Sequence, residues 1–451
     1  MNRLSSRRRA DVRRDHYRLL RGLVAALALA GLPAAGAAQD VAIRNATILT
    51  ITNGTIENGT VLVRNGKIAA VGTDVTIPSG VEVIDAGGMY VMPGLIDAHS
   101  HMAIEGGINE GSESVTPEVL IPVNNEDPTI FRALAGGVTS ALLLHGSANT
   151  IGGQGQIIKM RWGAPADSML FDGAHRIVKF ALGENVTRAS SDAPDSERRY
   201  PKSRMGVEQL LRWWFTRAHE YRQQWQAYEA RGRSDRNAVP PRRDLRLEAL
   251  VDIMEGDIKV HAHSYRGDEI LMLMRVAEDF GFRINTFQHV LEGYKVANEM
   301  AEHGAMASTF AEMWGYKVEA YDAIPYNMAI MSDRGVVVSV NSDSGERVRR
   351  LYQEAAMGMK YGSMSETEAL KMVTLNPARQ LGVDALVGSI EVGKDADIAI
   401  FNAHPFAPEA RVEKTLVDGK ILFDRSDAAT LEKLLQLGRI TTDDAEQGGA
   451  R

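Results

Sequence analysis

The 451-residue chain contains no cysteine. That excludes a disulfide framework, a thiolate zinc site, an iron–sulfur cluster and a cysteine nucleophile. Any metal it binds must sit on nitrogen and oxygen. Proline is sparse at 15 residues, and the 42 glycines follow no Gly-X-Y period, so collagen-like and low-complexity classes fall away. No apolar run reaches the roughly 20 residues that a membrane-spanning helix needs, and a formal charge of −7 argues against a nucleic-acid binder. What is present, 44% hydrophobic and 24% charged residues, is the composition of a packed globular protein with a sizeable core.

The charge is uneven. Residues 1–38 hold eight arginines against two aspartates, a net of +6, which leaves −13 for the remainder. The basic stretch Arg3–Arg21 leads into the apolar run Gly22–Leu32, then Pro33 and the small residues Ala34–Ala38. This is the three-part pattern of a secretory signal, and a run of about eleven apolar residues is too short for a permanent membrane anchor. The expectation is an exported protein, periplasmic or extracellular, with residues 1–38 removed. No cysteine follows the run, so lipoprotein attachment is excluded. A homo-oligomer stays open.

Short alternating runs separated by Asn-Gly and Pro-Ser-Gly turns fill residues 39–93, and the same texture returns over 385–451. These read as antiparallel strands, two halves of one small β-sandwich built from both chain ends. Between them, over 94–384, β-branched runs alternate with helical stretches, the pattern of βα units around a parallel sheet. Eight strands are predicted: Gly94–His101, Val138–Ser147, Gly155–Arg161, Ile177–Glu184, Asp257–His263, Arg283–His289, Ala305–Thr309 and Gly335–Asp343. Eight strands in this length fit an α/β fold of the (β/α)8 barrel type, with its chemistry at the carboxyl ends of the strands. A charged insertion at about 189–255 interrupts the series. In it Val207, Leu210, Leu211, Trp214, Ala218, Tyr221, Trp225 and Tyr228 recur at helical spacing, which predicts a helix packed on the barrel's outside or over its mouth.

The chemistry concentrates at the predicted strand ends. His99 and His101 close the first strand, and alternation puts them on one face. At a barrel mouth both imidazoles can reach one cation. His261 and His263 end the fifth strand, His289 the sixth, and Asp343 the eighth. Five of the ten histidines beyond residue 38 thus fall at strand ends, and imidazoles gathered there without a metal would leave buried polar groups to satisfy. A divalent metal is therefore predicted. The glycine-dense segment Gly146–Gln156 lacks both the Gly-Lys-Ser/Thr ending and the Gly-x-Gly-x-x-Gly spacing of phosphate-binding loops. It reads instead as a loop lining the mouth, with Asn149 and Gln154 as substrate contacts. His145, Arg161, Arg188, Tyr265 and Arg266 are further lining candidates, and an arginine there suits a substrate carboxylate.

The segments Pro93–His101, Gly136–Ser140, Ser147–Gln154, Lys179–Asn185, Val260–His263, Asn341–Asp343, Leu375–Ala378 and Gly388–Asp397 together resemble the amidohydrolase superfamily of metal-dependent hydrolases, in its imidazolonepropionase-like branch, over nearly the whole chain beyond the leader. The resemblance implies a barrel inserted in a β-sandwich, with His99, His101, His261, His289 and Asp343 as ligands. It also implies an anionic bridge from the fourth strand when two ions, most simply zinc, are held. Glu184, at the predicted strand end, is the preferred bridge, and a carboxylated Lys179 the alternative. His263 is assigned to pocket lining. Deaminating members and imidazolonepropionase itself place a glutamate three residues after the fifth-strand histidine, where this chain has Ser264. The departure favours hydrolysis of an amide or dipeptide-like C–N bond in a small molecule, with Asp343 as general base and acid, over a deaminase or cyclic-amide hydrolase, and over a non-catalytic metal-loaded binding protein.

Overall fold

The structure, a computed structural model, describes residues 40–104, 113–188, 199–231 and 237–437. The leader, parts of the charged insertion and the C-terminal tail lie outside them.

Two eight-stranded sheets organise the chain. The first contains β1 (Val41–Leu49), β2 (Thr55–Arg64), β3 (Lys67–Gly72), β4 (Glu82–Asp85) and β5 (Tyr90–Pro93). The barrel follows, with β6 (Leu95–Ser100), β7 (Val138–Leu143), β8 (Ile151–Lys159), β9 (Arg176–Ala181), β10 (Ile258–His263), β11 (Ile284–Gln288), β12 (Met306–Thr309) and β13 (Val338–Val340). The chain then returns to the first sheet with β14 (Ile398–Phe401), β15 (Val412–Val417) and β16 (Lys420–Asp424). That sheet runs β16-β15-β14-β5-β1-β2-β3, with β4 beside β1. The two chain ends meet at the antiparallel β5–β14 pair, where Tyr90 faces Phe401 and Pro93 faces Ile398. Alternation supplies the sheet's core, in which Val41, Ile43, Ile48, Val61, Ile398 and Ile400 are fully buried.

The barrel order is β6 to β13 in sequence, and it is nearly closed. The Asp343 amide, just beyond β13, donates to the His99 carbonyl at 3.0 Å. One strand departs from the all-parallel expectation, because β8 runs antiparallel to both β7 and β9. Only seven residues separate β7 from β8, too few for a crossover helix, so the chain doubles back. The strand also starts at Ile151 rather than Gly155. Its glycines serve close approach: a Cβ on Gly152 would lie 2.2 Å from His145 Cε1, and one on Gly153 2.7 Å from the Val119 carbonyl.

The helices used below are α1 (Pro128–Ala135), α2 (Arg204–Arg231), α3 (Leu245–Glu255), α4 (Gly267–Asp279), α5 (Leu351–Gly362) and α6 (Leu375–Leu381). The insertion helix α2 packs on the barrel's outside against α3 and α4. Its buried face is Val207, Leu210, Leu211, Phe215, Ala218 and Tyr221. Phe215, which the periodicity did not include, takes the central place, stacked on Phe282 at 4.6 Å and near Phe180 at 6.2 Å. Trp214 and Trp225 are only partly buried.

The barrel and the end sheet are joined by charge. Lys159, at the end of β8, is buried with its ammonium 2.7 Å from Asp395, 3.2 Å from Asp397 and 2.6 Å from Asp418. Arg161 holds the other oxygen of Asp418 at 2.6 Å. Arg161, a lining candidate in the sequence, therefore belongs to this seam. Among the described residues no helix is long and apolar enough to cross a membrane.

Candidate metal centre

Strand β6 delivers His99 and His101 to the barrel mouth, the turn after β11 delivers His289, and the turn after β13 delivers Asp343. The Asp343 carboxylate is the hub. One of its oxygens lies 2.8 Å from His101 Nε2, 3.2 Å from His99 Nε2 and 3.3 Å from His289 Nε2. One ligand atom each from His99, His289 and Asp343 lies within 4.8 Å of the others, an arrangement that can hold a metal ion. His289 and Asp343 have φ of +60° and +47°. Non-glycine residues adopt this left-handed region at a cost of about 1–2 kcal/mol. The strain aims both side chains at a common point.

Burial shapes the protonation. It pushes the imidazoles of His99 and His289 below their ordinary value, with Lys179 beside His99 adding to the effect, so both stay neutral and able to ligate. Burial would raise the Asp343 carboxyl, yet the imidazoles around it, with His101 Nε2 at 2.8 Å, hold it well below the usual range. Neither ring nitrogen of His289 makes a hydrogen bond, and His99 Nδ1 has none. A buried His289 Nε2 that faces an ionised carboxylate without a hydrogen bond is available to a cation ligated by nitrogen and oxygen.

Lys179, fully buried on β9, climbs into the cluster. Its ammonium is 3.0 Å from His99 Nε2 and donates to the His145 carbonyl at 2.6 Å. Burial pushes it down to about 8. Glu184 does not arrive. Strand β9 ends at Ala181, Gly183 turns the chain at φ +80°, and Glu184 opens a short helix with its carboxylate 3.9 Å from Lys317 Nζ. The left-handed turn swings away the residue that a straight strand would have aimed at the mouth.

The fifth-strand histidines exchange the places expected of them. His261 is buried below the cluster, with Nδ1 2.8 Å from the Gln288 amide and Nε2 3.1 Å from Asn285. His263 sits at the cluster's level, its ring centroid 5.0 Å from that of His289 and its Nδ1 3.0 Å from Ser147 Oγ. Burial, with His289 nearby, keeps His263 well below its ordinary value and neutral. Ser264 is turned to backbone carbonyls of Ala262 and Gln288, so no carboxylate stands at that position.

Of the remaining lining candidates Tyr265 stands beside His263, its ring centroid 4.8 Å away, and the others are elsewhere, Arg188 on the exposed surface. His145 is pinned between Gly146 and Gly153, with burial pushing it down to about 4. It fastens the β7–β8 turn. Asn149 is fully buried and donates to Thr116 Oγ1 at 3.1 Å while accepting from Arg199 at 3.1 Å. Gln154 holds the Pro117 carbonyl at 2.8 Å. Arg266 makes a two-pronged pair with Asp268 at 2.9 and 3.0 Å, outside the mouth. Two groups beside His263, Tyr316 and Lys317, were not singled out by the sequence. The Tyr316 hydroxyl meets that of Tyr265 at 2.5 Å, and Lys317 Nζ lies 4.2 Å from the centre of the Tyr265 ring and 3.1 Å from Asn185 Oδ1. They stand on the long segment after β12, which carries no periodicity to reveal them.

An eight-stranded barrel whose mouth gathers imidazoles around one carboxylate, capped by a sheet from both chain ends, defines the class: an α/β barrel with a candidate metal site. The Amidohydrolase family model matches residues 243–422. A solved amidohydrolase from Thermotoga maritima is 33% identical, with a TM-score of 0.77, and the match covers 85% of this chain and all of that one. The amidohydrolase tasK of Hapsidospora irregularis is 31% identical over 83% of this chain, which spans only 40% of that protein's length. Imidazolonepropionase of Thermoplasma volcanium is 25% identical, covering 81% of this chain and 91% of that protein. The chain belongs to the amidohydrolase family.

Proposed function

We propose that the protein is an exported, metal-dependent amidohydrolase that cleaves an amide or dipeptide-like C–N bond in a small molecule. The observation that carries this reading is the convergence of His99, His101, His289 and Asp343 on one point while both His289 nitrogens lack hydrogen-bond partners. His99, His101, His289 and Asp343 would hold a divalent cation, most simply zinc. Lys179, once its neutral amine has added dissolved CO2 to give a carbamate and a released proton, would hold a second. Burial supports that role, since an ammonium pushed down to about 8 offers more free amine near neutral pH. When bound, such cations polarise the scissile carbonyl and lower the pKa of water.

The chain's own groups do the rest. Asp343, ionised among the histidines, takes a proton from the attacking water and passes it to the leaving nitrogen. His263, neutral and fixed through Nδ1 by Ser147, faces the substrate at the level of the cluster. Tyr265 and Tyr316 wall that side, with Lys317 offering a cation beside them. No carboxylate follows the fifth-strand histidines by three residues, since Ser264 and Arg266 occupy those positions, and this favours amide hydrolysis over deamination.

Metal analysis after gentle purification, together with assays on a panel of N-acyl amino acids and dipeptides, tests the proposal. About two equivalents per chain are expected, falling to one or fewer in Lys179→Ala and unchanged in Glu184→Ala. Full metal content and activity in His289→Ala would end this reading. Export is checked separately, by N-terminal sequencing of protein from the periplasm or medium: a mature start near Gln39 is expected, and an intact Met1 start in the cytoplasm would overturn it.

A further inference from the structure

At the seam between the barrel and the end sheet lies a cavity of about 380 Å³ whose lining shares no residue with the metal centre just described. Arg132 of α1, Arg349 and Arg350 of the turn before α5, and Arg425 after β16 line it, with Glu346 as the one carboxylate. Four guanidiniums against one acid leave a local excess of three positive charges.

The pairing is incomplete. Arg132 is 5% exposed, pairs with Glu346 and donates to the Leu437 carbonyl at 3.0 Å, yet its Nε, fully buried, has no partner. Arg349 reaches the same Glu346 only at 3.5 Å. Arg425 spends its Nε on the Val412 carbonyl at 2.7 Å. Among the described residues Arg350 makes no ion pair. Proximity to Arg350, added to burial, makes the charged form of Arg349 harder to keep. Like charges held together in a partly enclosed cavity cost stability, and an anion removes that cost. Guanidinium, planar, weakly hydrated and two-pronged, matches phosphate oxygens better than any other side chain. The volume exceeds what a bare phosphate fills and lies at the small end of organic-ligand pockets, roughly 300–1,000 Å³. Tyr352, Ala135 and Leu434 complete the wall and offer apolar surface to the remainder of such a ligand.

We propose that this cavity binds a phosphate-bearing small molecule, held by Arg132, Arg349, Arg350 and Arg425. The site is separate from the mouth but joined to it by chain: three residues lead from Asp343 to Glu346, and Ser344 Oγ accepts the Glu346 and Arg347 amides at 3.0 and 3.2 Å.

Pyrophosphate is the probe, titrated by calorimetry and followed by thermal shift on the full protein at fixed ionic strength. One saturable site per chain is expected, weakened tenfold or more in Arg349→Gln and in Arg350→Gln. Each variant should melt higher than the wild type without ligand, because a repulsion is relieved, so lost binding is not mistaken for lost structure. Pyrophosphate also chelates metals, and the titration is therefore repeated on chelator-treated wild type and on His289→Ala, where binding should persist. Binding that vanishes in those two samples but survives in the arginine variants would overturn the site. So would equal stabilisation by chloride, or no saturable binding by the wild type.

Discussion

One residue, Ala262, lies between His261 and His263, yet the rise of about 6.6 Å from one to the other along a strand decides which of them stands level with the His289 ring. Alternation correctly turned both rings inward, but depth within a barrel is set by how neighbouring strands are staggered, and no local pattern encodes it. That Lys179 rather than Glu184 stands beside His99 has a related cause. Position along the strand favoured the glutamate, but the left-handed Gly183 and the length of a lysine side chain reverse the order. His99, His101, His289 and Asp343 were legible because each falls at or just beyond the carboxyl end of a predicted strand. The buried neutral histidines also set a pH limit. Free histidine side chains titrate near 6.5, while burial holds His145 down to about 4 and His261 to about 3. These two depressed values mean that the unfolded chain takes up the protons first. Their contribution is complete above pH 6.5 and is lost as pH falls from 6.5 towards 4, at about 1.4 kcal/mol per pH unit for each ring. Melting temperatures of the metal-free protein measured from pH 7 to 5 should fall accordingly, and His261→Gln should flatten the slope by one proton's share. A curve with the same slope in the variant would remove His261 from the account.

Elements show where periodicity suffices and where it does not. The barrel's eight strands and the antiparallel texture of both ends follow from alternation and β-branched runs. The reversal of β8 does not, because its signal is the shortness of the segment that precedes it. On α2 the spacing marked the inward face but ranked tryptophans above Phe215, which fills the space beside Phe282 and Phe180. Truncating it leaves a cavity, so Phe215→Ala should cost about 3–5 kcal/mol in chemical denaturation, whereas Trp213→Ala, on the exposed side at 56%, should cost under about 0.5 kcal/mol. Comparable losses in the two variants would mean that α2 does not dock through this face.

At the scale of the whole molecule, barrel and end sheet are locked by Lys159 and its three aspartates. The Gly-Lys-Asp-Ala-Asp segment was visible as part of a family resemblance, but its partner on β8 was not, because 236 residues separate Lys159 from Asp395. Lys159→Ala should destabilise by about 3–5 kcal/mol, since it leaves Asp397, already pushed up to about 6 by burial, without its main counter-charge. Restoring stability by adding Asp397→Asn would support this account, and additive losses would contradict it. The pairing of β5 with β14 has a consequence in time. During synthesis at roughly 5–20 residues per second, the edge of β5 waits for β14, about 300 residues later, so for some 15–60 s the first sheet exists as an open template. Until the last strands emerge, the nascent chain carries an unpaired edge of the kind that invites association with other chains, and its safe passage depends on whatever shields that edge.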